Sequence, residues 1–152
     1  MTEEQKPIYA KQVIVVRKDL KMKAGKLAAQ VSHAAMAPLS NKLRKTANDS
    51  DDESGDITLS ATFYAGDLHD EAFLEWLKHS FTKVVLEINT EEELLELLAE
   101  ADLADIPFVK IEDEGRTMFH GVKTLTCASF GPCYSDVLDD LTGHLKLYNV
   151  KG

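Results

Sequence analysis

The chain has 152 residues, of which 28% are charged and 44% hydrophobic. This length predicts one domain with its own core over residues 1–152, while four prolines and eight glycines exclude a collagen-like or wholly disordered chain. Two cysteines exclude a disulfide-built scaffold, and no apolar run reaches the ~20 residues of a membrane helix. The first residues lack the pattern of a secretory signal, so we expect a cytoplasmic protein without membrane contact.

The net charge of −9 is unevenly distributed along the chain. Residues 1–45 hold ten basic and three acidic side chains, whereas residues 46–152 hold seven basic and 23 acidic ones. A basic segment in an acidic chain indicates an anionic partner. The alternative is an acidic, soluble protein with a few exposed lysines.

The first third of the chain predicts a strand, a helix and a loop. Residues 12–17 are apolar and β-branched, which is typical of a buried strand. Residues 24–43 favour a helix that Pro38 ends or kinks. Residues 46–56 are expected to form an acidic mobile loop, and residues 1–10 are expected to be flexible.

The remaining elements alternate between helices and strands. Apolar residues alternate with others in the stretch 57–66, which allows a short strand. Residues 124–130 predict a strand that ends at Gly131-Pro132. Further predicted elements are helices over 68–80, 90–104 and 134–141, with strands over 82–88 and 107–112. The order β-α-(α)-β-α-β-β-α predicts a partly parallel sheet covered on both faces, an α/β/α sandwich of three layers.

Lysines cluster where the first strand passes into the first helix. Lys21, Lys23 and Lys26 stand near a helix start, where free N–H groups and the helix dipole favour a phosphate. The stretch is not a P-loop, because Leu20 and Leu27 occupy the positions of its first glycine and its Ser/Thr. Simple solvated lysines are the alternative.

A polar stripe continues along the helix and meets a carboxylate. Lys26, Gln30 and His33 share one helical face, and Asp113 follows a buried strand. Ligands bind beyond the carboxyl ends of strands, so Asp113 and Lys26 converge if their strands are parallel neighbours. Such a pair is either an acid/base pair or an ordinary salt bridge. Gln30 and His33 could also be a satisfied polar edge of the core.

The cysteines and histidines carry little chemistry. Cys127 and Cys133 form no CxxC motif and are interpreted as structural. The five histidines are scattered, so no zinc site is expected. No cofactor is expected either.

These motifs together resemble the archaeal/eukaryotic-type peptidyl-tRNA hydrolases, the Pth2 family. The resemblance rests on VVRKDLKMKAGKLAAQVSHAA at 15–35, EDEGRT at 112–117, the Gly131-Pro132 pair and TGHLKLY at 142–148. It covers residues 11–38 and 82–148. It implies a fold of three layers around a four-stranded mixed, mostly parallel sheet, and an assembly that is often a homodimer. It also implies hydrolysis, without a metal, of the ester that joins a peptide to tRNA.

The resemblance also assigns the catalytic roles. Lys26, Asp113 and Thr126 fall on the family's functional positions, with Thr124 as a rival because the loop at 119–123 is one residue longer. Water would attack the ester, oriented or deprotonated by Asp113 directly or through Thr126, while Lys26 would stabilise the oxyanion or hold a phosphate. Thr126 acting as the nucleophile is the other mechanism.

The remaining assignments concern substrate binding. The tRNA backbone would lie along Arg17, Lys18, Lys21 and Lys23. The cleft would be shaped by Gln30, His33, Arg116 and Thr117. Because Glu114 and Ala24 depart from the family pattern, a non-catalytic tRNA- or protein-binding module is the alternative. An acidic interaction module that uses the acidic loop is a third hypothesis.

Overall fold

The computed structural model describes residues 6–44, 55–116 and 118–150. Thr117, residues 1–5 and residues 46–54 of the acidic loop lie outside this part, as do the predictions made for them. Residues 9 and 10, at the end of the segment expected to be flexible, contact the fold: the Ser135 N–H donates to the Tyr9 carbonyl, and Ala10 is buried. The elements are β1 (Ala10–Arg17), α1 (Ala24–Arg44), α2 (Leu68–Glu75, continued by a π-helical turn Trp76–Ser80), β2 (Thr82–Ile88), α3 (Glu91–Leu103), β3 (Phe108–Asp113), β4 (Thr124–Tyr134) and α4 (Ser135–Thr142).

The four strands form one mixed sheet with the order β2-β1-β4-β3. Strands β1 and β2 are parallel, whereas β4 is antiparallel to both β1 and β3. The sheet is therefore mixed as predicted, but only one neighbouring pair is parallel. The short connection from β3 to β4 reverses the chain, and β4 inserts between β1 and β3. Strands β1, β2 and β3 still run in one direction, so their carboxyl ends lie at the same end of the sheet.

The three layers follow from the alternation of β1. Val13 and Val15 face a core formed with α3 and α4. Ile14 and Val16 face the opposite side, where α1 packs. Because successive strand residues point to opposite faces, a continuous apolar strand needs cover on both sides. The predicted α/β/α sandwich is confirmed.

Pro38 lies inside α1 and does not end it, contrary to one of the two predicted effects. A proline lacks the N–H that would bond the carbonyl four residues earlier, here that of Ala34. The Gln12 side chain on β1 supplies the missing donor, with its Nε2 3.2 Å from that carbonyl oxygen. The helix continues because a neighbouring strand satisfies the freed carbonyl.

This arrangement predicts energetic coupling between Gln12 and Pro38. In the Pro38→Ala background, the new N–H can bond the Ala34 carbonyl, so Gln12→Leu is expected to cost about 1 kcal/mol less than in the wild type. Urea unfolding of both single variants and the double variant measures the coupling. Equal costs in the two backgrounds would show that the Gln12 amide does not replace the missing bond.

Two other predicted boundaries differ from the structure. Residues 57–66 form no strand, and Ile57 and Leu59 are exposed. Strand β4 continues through Gly131-Pro132 because Cys133 and Tyr134 still pair with β1. The register between β1 and β4 shifts at this point, so the Gly-Pro pair marks an irregularity and not an end.

The edge of the sheet that β2 forms is partly covered by another segment of the chain. On β2, Leu147 forms a bridge to Leu86, and the Tyr148 N–H donates to the Val85 carbonyl. The segment after α4 therefore covers part of that edge.

No helix in the described part of the chain is long and apolar enough to cross a membrane.

Candidate active site

Lys26 and Asp113 meet at the end of the sheet where the carboxyl ends of β1 and β3 lie. Lys26 lies in the first turn of α1 and Asp113 is the last residue of β3. The Lys26 Nζ is 2.5 Å from Asp113 Oδ1, and the side chains are only 15% and 12% exposed. Convergence was expected if β1 and β3 were parallel neighbours; the two strands run in the same direction with β4 between them, and the two side chains still meet.

Asp113 is held as a carboxylate by donors on both of its oxygens. Gln30 Nε2 lies 3.3 Å from Oδ1, and the Gly115 N–H donates to Oδ2 at 2.8 Å. The hydrogen bond from Lys26 lowers the pKa of Asp113 below its ordinary value, and this outweighs the opposing effect of burial. A carboxylate with a lowered pKa is a weak base, so this environment suits orienting a water better than deprotonating it.

Thr126 joins the cluster through Gln30. Its hydroxyl donates to Gln30 Oε1 at 2.6 Å, and both side chains are buried. The chain of hydrogen bonds therefore runs from Thr126 to Gln30 and from Gln30 to Asp113. Sequence reasoning grouped Gln30 with the residues that shape the cleft, whereas the structure places it between two of the predicted catalytic residues.

A bulge in β4 aims Thr126 at α1. In the β3–β4 register, Ile111 pairs with Cys127 and Glu112 with Leu125, which leaves Thr126 as the extra residue. Thr126 and Cys127 then both face α1, where each contacts Gln30. The rival Thr124 instead pairs with Asp113 across the strands and donates its hydroxyl to the Val122 carbonyl. The structure brings Thr126, and not Thr124, into the cluster.

Two further residues support the cluster, and neither was among the predicted site residues. Gly115 has a φ of +79°, and a Cβ there would lie 2.5 Å from the Val122 carbonyl oxygen. The Phe119 ring lies 5.7 Å from the Lys26 ammonium. The signal for Gly115 was a glycine directly after the strand-end carboxylate, since glycine allows a tight reversal.

Arg17 and Lys18, two of the cations predicted to contact a tRNA backbone, are bonded to groups of the protein itself. The Arg17 guanidinium is buried, donates to the Leu125 carbonyl and is paired with Asp19. The Lys18 ammonium lies 2.8 Å from Glu87 and lowers the pKa of that carboxyl. Both cations connect the end of β1 to neighbouring segments, Arg17 to β4 and Lys18 to β2.

The other predicted binding residues lie at the surface around the cluster. Lys21, Lys23 and Arg116 are exposed beside the start of α1 and the end of β3. His33 is also exposed, one turn beyond Gln30. Glu114 is exposed as well, so its charge does not enter the buried cluster.

The cysteines lie in the interior. Burial raises the pKa of Cys127 to about 11 and that of Cys133 to about 12, so both are neutral thiols at pH 7. Their geometry supports the structural interpretation. Among the residues that the structure describes, no group of three or more His, Cys, Asp or Glu is arranged to hold a metal ion.

The Lys26–Asp113 pair predicts a measurable shift in the pKa of Asp113. In Lys26→Met, the chief cause that lowers this pKa is removed while burial remains, so the pKa is expected to rise. Carboxyl ¹³C NMR of the two proteins measures it. The stabilisation that the pair contributes is present above the unfolded pKa of about 3.9 and is lost as the pH falls through the folded value.

A matched control for this shift is Lys42→Met. Lys42 pairs with Asp70 on α2 and does not contact Asp113. It is expected to leave the pKa of Asp113 unchanged. An unchanged Asp113 pKa in Lys26→Met would contradict the electrostatic assignment.

The fold and the cluster define an α/β protein with a buried polar site at one end of its sheet, and comparisons with known proteins identify its family. The model of the family described as "Peptidyl-tRNA hydrolase PTH2" matches residues 10–148. The chain is 34% identical to a "Peptidyl-tRNA hydrolase" of Saccharolobus solfataricus over 142 residues, covering 90% of this chain and 98% of the relative. It is 36% identical to a protein of the same name from Thermococcus onnurineus over 138 residues, covering 90% and 96%. The chain belongs to the peptidyl-tRNA hydrolase PTH2 family.

Proposed function

We propose that this protein hydrolyses the ester bond between the peptide and the tRNA in peptidyl-tRNA, which releases tRNA for reuse. The observation that carries the proposal is the mostly buried Lys26–Asp113 pair at the start of α1, joined through Gln30 to Thr126. Membership of the PTH2 family supports the same reaction. An ester is cleaved more readily than an amide, so one oriented water and one stabilising cation are a sufficient catalytic set.

The proposed reaction is water attack on the ester carbonyl. Asp113 accepts a hydrogen bond from the water and aims its oxygen at the carbonyl carbon. Lys26 and the N-terminus of α1 stabilise the negative charge that develops on the carbonyl oxygen. The bond between the carbonyl carbon and the ribose 3′-oxygen then breaks, and one proton of the attacking water passes to that leaving oxygen. The peptide departs as a carboxylic acid, which loses the second proton to solvent and becomes a carboxylate.

In this mechanism Thr126 is a positioning residue. Its buried hydroxyl is directed at Gln30 Oε1 and fixes the amide so that Nε2 points to Asp113. This arrangement favours an orienting role over the nucleophilic alternative, since a nucleophile must reach the substrate carbonyl.

The tRNA is proposed to bind at the exposed cations beside the site, namely Lys21, Lys23 and Arg116. Binding is then expected to weaken steeply with salt, and the double variant Lys21→Ala/Lys23→Ala is expected to reduce the slope of log K against log[salt] by about 1.5 to 2. Fluorescence titrations of deacylated tRNA at several salt concentrations measure the slope. Lys78→Ala, at an exposed lysine near the opposite end of the sheet, is the control. A slope unchanged by the double variant would exclude these lysines.

The experiment that tests the function is single-turnover hydrolysis of an N-acetylaminoacyl-tRNA with enzyme in excess. Asp113→Ala, purified identically, controls for a contaminating hydrolase. Release of N-acetylamino acid by the wild type alone supports the proposal. A wild type that binds tRNA without cleaving it would be the non-catalytic binding module instead. A wild type without affinity for tRNA would favour the acidic interaction module.

The proposed reaction implies a place in translation and hence a cytoplasmic location. A homodimer, which the resemblance implies, stays a prediction that light scattering of the purified protein tests.

A further inference from the structure

A groove runs along the edge of the sheet that β3 forms, beginning next to the candidate site. It lies between α1 and β3 and has a volume of about 570 Å³. Met36, Ala37, Val109 and Ile111 give it an apolar floor, and Met36 is 59% exposed. A second hollow of about 210 Å³ shares Val109 with it and continues toward α2. We call the two together the β3 groove.

In the part of the chain that the structure describes, the outer backbone of β3 has no backbone partner along this groove. The Gly131 N–H donates to the Pro107 carbonyl at 2.9 Å, which fixes the phase of the β3–β4 ladder. Because hydrogen-bonding residues alternate in an antiparallel pair, Phe108 and Lys110 present their N–H and C=O groups outward. Within residues 6–44, 55–116 and 118–150, no backbone group bonds to this outer side. An open edge can accept an extended chain as an additional strand.

The candidate site separates two surfaces of different chemistry. On one side lie the exposed cations Lys21, Lys23 and Arg116. On the other side the β3 groove begins at His33, one turn from Gln30, and at Ile111, two residues before Asp113. An ester held at the Lys26–Asp113 pair would therefore have cations on one flank and an apolar floor beside an open strand on the other.

We propose that the β3 groove binds the peptide part of peptidyl-tRNA as an added strand on β3. This inference rests on the proposed function. It specifies how the same site binds the peptide, which is the part of the substrate whose sequence varies. Hydrogen bonds to the outer backbone of β3 do not depend on the peptide's side chains, so they suit a substrate of any sequence. The six residues of β3, at about 3.3 Å each, span roughly 20 Å, room for about five peptide residues.

RNA is the competing occupant, because Arg44 and Lys110 border the groove. The floor argues against it, since the exposed Met36 and the half-buried aliphatic side chains beside it favour contact with apolar groups and offer no donor to a phosphate. The flexible thioether of Met36 adapts to different peptide side chains. The cations on the other flank supply the surface that RNA requires.

The test compares two substrates, an N-acetylaminoacyl-tRNA and the same tRNA carrying a pentapeptide. The measured quantity is the ratio of kcat/KM for the long substrate to that for the short one. Lys110→Pro deletes an outward N–H at a position where an edge strand tolerates proline, and Lys110→Ala is its control for the lost charge. Met36→Glu places a charge on the apolar floor, and Met36→Leu is its control.

The wild type is expected to favour the long substrate, and Lys110→Pro and Met36→Glu are each expected to lower the ratio about tenfold. Both controls are expected to keep it. If circular dichroism shows that Lys110→Pro is unfolded, Met36→Glu carries the test.

Four outcomes would overturn the inference. An equal loss on both substrates, together with weaker binding of deacylated tRNA, would assign the groove to RNA. A wild type indifferent to peptide length, or a ratio unchanged in both variants, would leave the peptide outside the groove while the proposed function stands. A wild type that cleaves neither substrate would reject the proposed function itself.

Discussion

Asp113→Asn is expected to lower kcat/KM for N-acetylaminoacyl-tRNA by about 10²- to 10³-fold. Asparagine preserves the shape of the side chain but removes its charge, and its amide N–H₂ would face the ammonium of Lys26 or the N–H of Gly115, which now donate to the carboxylate. The water would lose its strong acceptor, and the ammonium would lose its counter-ion. Single-turnover hydrolysis with enzyme in excess measures the effect on chemistry.

The matched control for this variant is Glu112→Gln. Glu112 is the preceding carboxylate on β3, it is exposed, and its side chain points to the opposite face of the strand. It is expected to retain wild-type activity. If Asp113→Asn also retained it, with a native circular dichroism spectrum, the assigned role of the carboxylate would be wrong.

Gly115→Ala is expected to destabilise the protein by about 2 to 4 kcal/mol and to reduce hydrolysis at least about tenfold. The new Cβ would lie 2.5 Å from one backbone atom of Val122 and 2.7 Å from another, at a φ of +79°. The loop must move to relieve this overlap, and the Gly115 N–H that donates to Asp113 moves with it. Urea unfolding gives the free energy, and the single-turnover assay gives the rate.

Gly121→Ala separates backbone strain from steric overlap. Gly121 has nearly the same φ, +77°, in the same loop, but nothing lies within 4 Å of its Cβ position. It is expected to cost only about 1 kcal/mol, the penalty of the left-handed conformation alone. Equal costs at the two glycines would mean that contact with Val122 is not what requires Gly115.

The Lys26–Asp113 pair was predictable from the sequence, and its connection to Thr126 was not. A helix start after one strand and a carboxylate at the end of another are visible locally, and the shared direction of β1 and β3 brings them to one edge. The orientation of Thr126 depends on a bulge in β4, which shifts register without any change in residue pattern. Gln30 therefore looked like a cleft residue until its partners on both sides were known.

Arg17 and Lys18 show a second limit of sequence reasoning. Both stand beside a lysine-rich loop, so the local pattern grouped them with the exposed cations. Their partners, the Leu125 carbonyl and the Glu87 carboxylate, are 108 and 69 residues away along the chain. Whether a cation is available to a ligand depends on such contacts with distant segments. A distant contact also explains why Pro38 does not end α1, since Gln12 on β1 bonds the carbonyl that the proline leaves without a donor.

The chain separations within the cluster have a consequence for how the protein matures. The hydrogen bonds that Asp113 accepts from Lys26 and Gln30 close loops of 87 and 83 residues, and the one from Thr126 to Gln30 closes a loop of 96. Contacts between such distant segments form slowly, because loop-closure entropy is lost before any contact rewards it. Since β4 must enter between β1 and β3 before Thr126 meets Gln30, a nascent chain that still lacks β4 contains both charges of the ion pair but no means of aligning them.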